Sequence, residues 1–125
     1  MTTILVVDDD PMILDSTKCF LESKGMNVIC AKDGEEALSV KDTKSVDLAL
    51  VDIFMPNRGG FETITHLHKS MPVIAMSGVS SHRFDPLGFA KSIGAKCSLS
   101  KPFAPDTLIE TIQGLLFTFE QSDPQ

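Results

Sequence analysis

Short apolar runs alternate along this chain with longer stretches in which apolar residues recur every three or four positions. The runs at residues 3–8, 27–31, 46–52, 72–76 and 97–100 have strand length, and most are rich in Val, Ile and Leu. The third is continuously apolar from Leu48 to Val51, as expected of a strand covered on both faces. Between the first two runs, Ile13, Leu14, Thr17, Phe20 and Leu21 fall at helical spacing. Asp10-Pro11 reads as an N-cap followed by proline at the first helical position, and Gly25 as the stop. Asp33-Gly34 opens a short helix through Glu35, Ala37, Leu38 and Lys41, while Pro56 and Gly59-Gly60 mark a loop before a helix over residues 61–69. A loop over 77–81 leads to a helix from about residue 83 to 93, ending at Gly94. The last helix starts between Ala104 and Asp106, with Leu108, Ile109, Ile112, Leu115, Leu116 and Phe119 forming one stripe.

Strands alternating with helices in this way imply a parallel sheet with helices on both faces. Right-handed crossovers allow an open sheet or a barrel, and a barrel needs eight such units. The expected fold is therefore a three-layer α/β sandwich of (βα)5 type, with a five-stranded parallel sheet. Its expected strand order is the flavodoxin-like 2-1-3-4-5, which makes the first and third strands neighbours.

At 125 residues the chain has room for one core, so residues 1–121 are read as one domain and 122–125 as a flexible tail. The net charge of −6 argues against direct binding to nucleic acid or to an anionic membrane. Cys19, Cys30 and Cys97 have no metal-ligand spacing and sit among apolar neighbours, so they are expected to be buried thiols in a reducing compartment. The first apolar run is short and lacks a basic leader, and no run approaches the roughly 20 apolar residues of a membrane span. A cytoplasmic location is the expectation.

Chemistry concentrates where the strands end. Asp8-Asp9-Asp10 follows the first run, Asp52 closes the third, Ser77 follows the fourth and Lys101-Pro102 the fifth. In open parallel sheets ligands bind at these carboxyl ends. Carboxylates brought together there repel unless a cation is shared, and an all-oxygen set favours Mg2+, Mn2+ or Ca2+ over zinc or copper. Mg2+ keeps part of its water and combines few carboxylates with substrate phosphate. An unligated carboxylate oxygen beside it can act as nucleophile toward phosphorus, giving an acyl phosphate. Lys101 would neutralise charge on the incoming group and Ser77 would donate a hydrogen bond to it.

These pieces, Ile4 to Asp10, Val51-Asp52-Ile53-Phe54-Met55-Pro56, Met76-Ser77-Gly78 and Lys101-Pro102-Phe103, follow one another at family spacing. The chain resembles the receiver domain of two-component response regulators, at the size of the stand-alone chemotaxis regulators. The resemblance implies Asp52 as phospho-acceptor, with Asp8, Asp9, Asp52 and the backbone carbonyl of Phe54 around Mg2+. Ser77 would be the switch hydroxyl and Lys101 the family's lysine, with a bond to Pro102 that is cis in relatives. It further implies a phosphorylation-dependent signalling switch rather than an enzyme, one that assists its own phosphorylation and dephosphorylation. A sensor histidine kinase or a phosphotransfer protein would be the donor, and output would pass through protein contacts.

Two departures stand out. Ser98 occupies the place where relatives carry the tyrosine or phenylalanine that swings inward on activation, and the chain has no tyrosine or tryptophan. Phe54 and Val79, which flank the path of hydrolytic water in relatives, are both apolar here. The competing function is a Mg-dependent phosphohydrolase of the haloacid-dehalogenase type, with Asp8 as nucleophile and Asp10 as the second acid. Against it, Pro11-Met12 does not fit that motif and the later acidic pair is missing. Asp10 beside Pro11 reads better as a helix cap. His66 and His68, two apart on a helix, diverge and are read as surface histidines.

Overall fold

A computed structural model describes residues 2–53, 59–78, 86–101 and 103–121. Its strands are β1 (Thr3–Val7), β2 (Asn27–Ala31), β3 (Leu48–Asp52), β4 (Val73–Ser77) and β5 (Cys97–Ser100). The helices are α1 (Pro11–Ser23), α2 (Gly34–Thr43), α3 (Gly60–Leu67), α4 (Pro86–Ser92) and α5 (Pro105–Gln121). All strand pairs are parallel, and the order is β2-β1-β3-β4-β5. The expected doubly wound order is the observed one.

Alternation along the central strands sorts the core into two layers. Leu5, Val7, Ala49, Val51, Val73 and Ala75 pack with Ala37, Ile64, Leu67 and Ala90 on the α2–α3–α4 face. Ile4, Val6, Leu48, Leu50, Ile74 and Met76 pack with Leu21, Leu108 and Ile112 on the α1–α5 face. β3 and β4 are buried at every position, whereas edge strands β2 and β5 are only partly covered. This is why the sequence of β3 reads as a continuous apolar run.

The helix ends follow local chemistry. Asp10 caps α1 by accepting the Met12 amide at 2.9 Å, with Pro11 in the first turn. Gly25 has φ +88, and the Met26 amide reaches back to the Leu21 carbonyl at 3.2 Å, a Schellman closure that favours glycine. Asp33 caps α2 through the Glu36 amide, and the Glu36 carboxylate accepts the Lys32 amide in return.

Several expectations shift. β3 begins at Leu48 rather than residue 46, because Asp47 turns its carboxylate to the Thr3 amide at 2.8 Å and its own amide to the Thr3 carbonyl. Ser77 belongs to β4, not to a loop, since it pairs with Ser100 in the parallel register. α3 runs from Gly60 to Leu67 and gives way to turns. α4 is described from Pro86, so the expected start near residue 83 lies outside the described residues, as does the tail at 122–125. The thiols are not buried: Cys19 is exposed and Cys30 and Cys97 are half-buried, because their positions lie on helix flank and edge strands. His66 is exposed, but His68 is half-buried against Gly94. Among the described residues, no helix is long and apolar enough to cross a membrane.

Candidate functional site

The parallel sheet delivers four strand ends to one rim. Asp8 follows Val7, and its amide still donates to the Ala31 carbonyl of β2 at 3.1 Å, so the backbone there is held by the sheet. Asp52 is the last residue of β3 and Ser77 the last of β4; both are buried. Lys101 comes directly after β5, and its amide donates to the Ser77 carbonyl at 2.9 Å. The register that stacks Asp52 beside Met76 and Ser77 beside Ser100 aligns these groups.

One carboxylate oxygen each from Asp8, Asp9 and Asp52 lies within 4.8 Å of the others. Asp8 is fully buried, Asp52 nearly so, and Asp9 is exposed. Lys101 Nζ donates to Asp8 Oδ2 at 2.7 Å and stands 3.5 Å from Asp52 Oδ2. The other oxygen of Asp8 accepts the Asp10 amide at 3.0 Å. Burial would lower the Lys101 ammonium's affinity for its proton, but the Asp8 hydrogen bond and the charges of Asp52 and Asp8 outweigh it. The net result is a pKa above the ordinary lysine value.

The donor set fits a hard divalent cation. It is all oxygen, and among the described residues one ammonium faces three clustered carboxylates, an excess of negative charge that a cation would balance. The exposed position of Asp9 keeps one side open to solvent. A cavity of about 480 Å3 flanks Lys101 between α1 and α5, but its walls include Ile13, Phe20, Phe103 and Leu108. That apolar lining is unsuited to phosphate, so the chemistry belongs to the acidic rim.

Asp8, Asp9, Asp52 and Lys101 thus meet, and Ser77 shares their rim. Phe54, Val79 and Pro102 lie outside the described residues, including the carbonyl expected at the cation and the expected cis bond. Asp10, by contrast, spends its carboxylate on the α1 cap, which removes the second acid of the hydrolase reading. Sequence reasoning missed the close contact of Gly60 with the backbone after Asp52. The Gly59-Gly60 pair had signalled only a loop.

Residues 4–113 match the model of the response regulator receiver domain. The chain is 38% identical to the transcriptional regulatory protein CpxR of Escherichia coli K12, over all of this chain and 53% of that protein. It spans about half the length of the first curated relatives it matches. A CheY-like receiver domain from Methanospirillum hungatei superposes with a TM-score of 0.91 at 35% identity, covering 98% of this chain and 99% of that one. The response regulator TrrA of Thermotoga maritima, solved with Mg2+ and BeF, superposes with a TM-score of 0.79 at 33% identity, covering 92% and 99%. The phosphohydrolase alternative finds no support among them.

Proposed function

Because this chain belongs to the response regulator receiver family, we propose that Asp52 is the residue on which it accepts a phosphoryl group. The observation that carries this reading is the meeting of Asp52 with Asp8 and Asp9 within 4.8 Å, opposite the Lys101 ammonium. The receiver domain occupies residues 1–121 in this reading.

In the transfer, a carboxylate oxygen of Asp52 attacks phosphorus. The bond from phosphorus to the donor imidazole nitrogen breaks, and its electron pair leaves with the imidazole. The product is an acyl phosphate on Asp52. Mg2+, bound by Asp8, Asp9, Asp52 and the Phe54 carbonyl, would offset charge on the phosphoryl oxygens. Lys101 stands near enough to Asp52 to pair with the arriving phosphoryl group, and its raised pKa keeps it cationic at neutral pH. Ser77 donates its hydroxyl to a phosphoryl oxygen.

The donor is a phosphohistidine on a sensor kinase or phosphotransfer protein, and the TrrA complex with Mg2+ and BeF supports the choice of cation. Output runs through contacts with a protein partner in the cytoplasm, and the protein assists its own phosphorylation and dephosphorylation. Mass spectrometry after treatment with acetyl phosphate and Mg2+ tests the reading. A gain of one phosphoryl group is expected for the native chain and not for Asp52→Asn; an unchanged gain in the variant rules out Asp52 as acceptor.

A further inference from the structure

The first residue of α3 touches the backbone that follows the proposed acceptor. A Cβ built on Gly60 would fall on the Ile53 Cα, 2.5 Å from the Asp52 carbonyl oxygen and 2.7 Å from the Ile53 carbonyl carbon. All three atoms are backbone, so none can swing aside as a side-chain tip would. Gly59, next to it, has nothing within 4 Å of its own Cβ position.

The backbone at Asp52–Ile53 is itself held by the sheet and the core. The Ile53 amide donates to the Met76 carbonyl of β4 at 3.1 Å. Ile53 is 3% exposed and packs in the α2–α3–α4 core layer. Asp52 itself is paired with Met76 in the sheet register. The α3 side is equally firm, since buried Thr63 returns both its amide at 3.0 Å and its hydroxyl at 2.9 Å to the Gly59 carbonyl.

We infer that Gly60 is a positioning residue for phosphoryl acceptance: its missing side chain lets α3 seat against the Asp52–Ile53 backbone and hold the acceptor carboxylate at the cation cluster. This rests on the reading of Asp52 as acceptor. Its backbone φ is not in the left-handed region, so the requirement for glycine is one of space. Displacement of a reacting group by about 1 Å can cost on the order of 100-fold in rate.

The test compares Gly60→Ala with Gly59→Ala in the full chain. Three quantities are read: thermal unfolding, Mg2+ affinity from amide NMR titration, and initial phosphorylation rate with acetyl phosphate at saturating Mg2+. Gly60→Ala is expected to unfold cooperatively, bind Mg2+ at least tenfold more weakly and phosphorylate at least tenfold more slowly, with Gly59→Ala close to native. A folded Gly60→Ala with native affinity and rate overturns the inference even if its melting temperature drops, because a purely structural glycine would behave so. Equal losses in Gly59→Ala overturn it too. Should Gly60→Ala not fold, Thr63→Val decides, since it removes the hydroxyl bond that firms the α3 turn and adds no atom near Asp52. A roughly threefold loss of Mg2+ affinity supports the inference, and a native affinity overturns it. Failure of the acceptor reading has a separate signature, persistence of the label in Asp52→Asn, and leaves the Mg2+ comparison intact.

Discussion

The Lys101 ammonium lies 2.7 Å from the buried carboxylate of Asp8, although 93 positions separate them in the chain. The β5 end and the β1 end are therefore tied across β3 and β4 by a charge-assisted hydrogen bond. Each partner offsets the other's cost of leaving water. With Lys101 gone, Asp8 would retain the Asp10 amide but face Asp9 and Asp52 with no cation among the described residues.

Lys101→Met is accordingly expected to destabilise the metal-free protein by about 2–3 kcal/mol. That lies between the ~0–1 kcal/mol of exposed pairs and the ~3–5 kcal/mol of breaking a buried one. Bound Mg2+ would take over part of the neutralisation, so it should stabilise the variant more than the native chain. Urea titrations with and without Mg2+ check this; equal Mg2+ effects on both proteins would contradict it.

Alkaline pH gives an independent reading of the same contact. Lys101 binds its proton more tightly in the folded state, because the Asp8 hydrogen bond and the charges of Asp52 and Asp8 more than offset burial. The associated stability is complete below the unfolded lysine value, about 10.4, and is lost as pH rises through the higher folded value. Denaturant midpoints should thus carry a falling limb above about pH 10. In Lys101→Met that limb should be shallower, and an unchanged limb would remove Lys101 as its source.

Asp9 contributes charge to the cluster from an exposed position. Asp9→Asn is expected to raise metal-free stability by a few tenths to about 1 kcal/mol, through relief of repulsion. The same change should abolish most of the stabilisation by Mg2+, which for the native chain reaches about 2.7 kcal/mol at 100 times the dissociation constant. Thermal melts across a Mg2+ series decide it, and a full Mg2+ shift in the variant would exclude Asp9 as a ligand.

Much of this was legible in the sequence because it depends on short-range pattern. Strand runs, Asp10 as a cap, Asp33-Gly34 as the opening of a short helix and Gly25 as a stop all act within a few residues, and the 2-1-3-4-5 order follows from the βα repeat. The reactive strand ends were readable because parallel strands bring their carboxyl ends to one rim. Tertiary approach was not readable. Gly60 reads as a loop glycine until α3 is seen against Ile53, and the exposure of Cys19 depends on which flank of α1 faces water. Ser77 joined β4 because its carbonyl finds the Lys101 amide, a partner 24 positions on.

Gly94 is another such contact, away from the rim. Its φ of +134 suits glycine alone, and a Cβ there would meet the His68 ring, 2.6 Å from Cδ2, and lie 2.9 Å from His68 Cβ. Gly94→Ala combines backbone strain, about 1–3 kcal/mol, with that overlap. His68→Ala in the same chain should recover the overlap part and leave the strain. A double-mutant cycle by chemical denaturation measures the split, and strictly additive losses would show that the two residues do not interact.

The last prediction concerns how the rim reports its state. Ser98 sits half-buried in β5, paired with Ala75 of β4, at the position where the family resemblance implies an aromatic ring. A ring moving from solvent into the protein would bury about 150–250 Å2, worth about 4–6 kcal/mol at ~25 cal/mol per Å2 if the burial were complete. Serine contributes almost none of that, so the free energy linking the proposed phosphoryl contact at Ser77 to the β5 face is expected to be smaller here. Metal-free and beryllofluoride-bound protein, compared by NMR, should therefore differ little in the backbone of β5 and α5. Ser98→Tyr should enlarge the difference without altering the rate of phosphorylation. A large rearrangement of Phe89 or Phe103 in the native chain on binding beryllofluoride would show that another aromatic carries the signal.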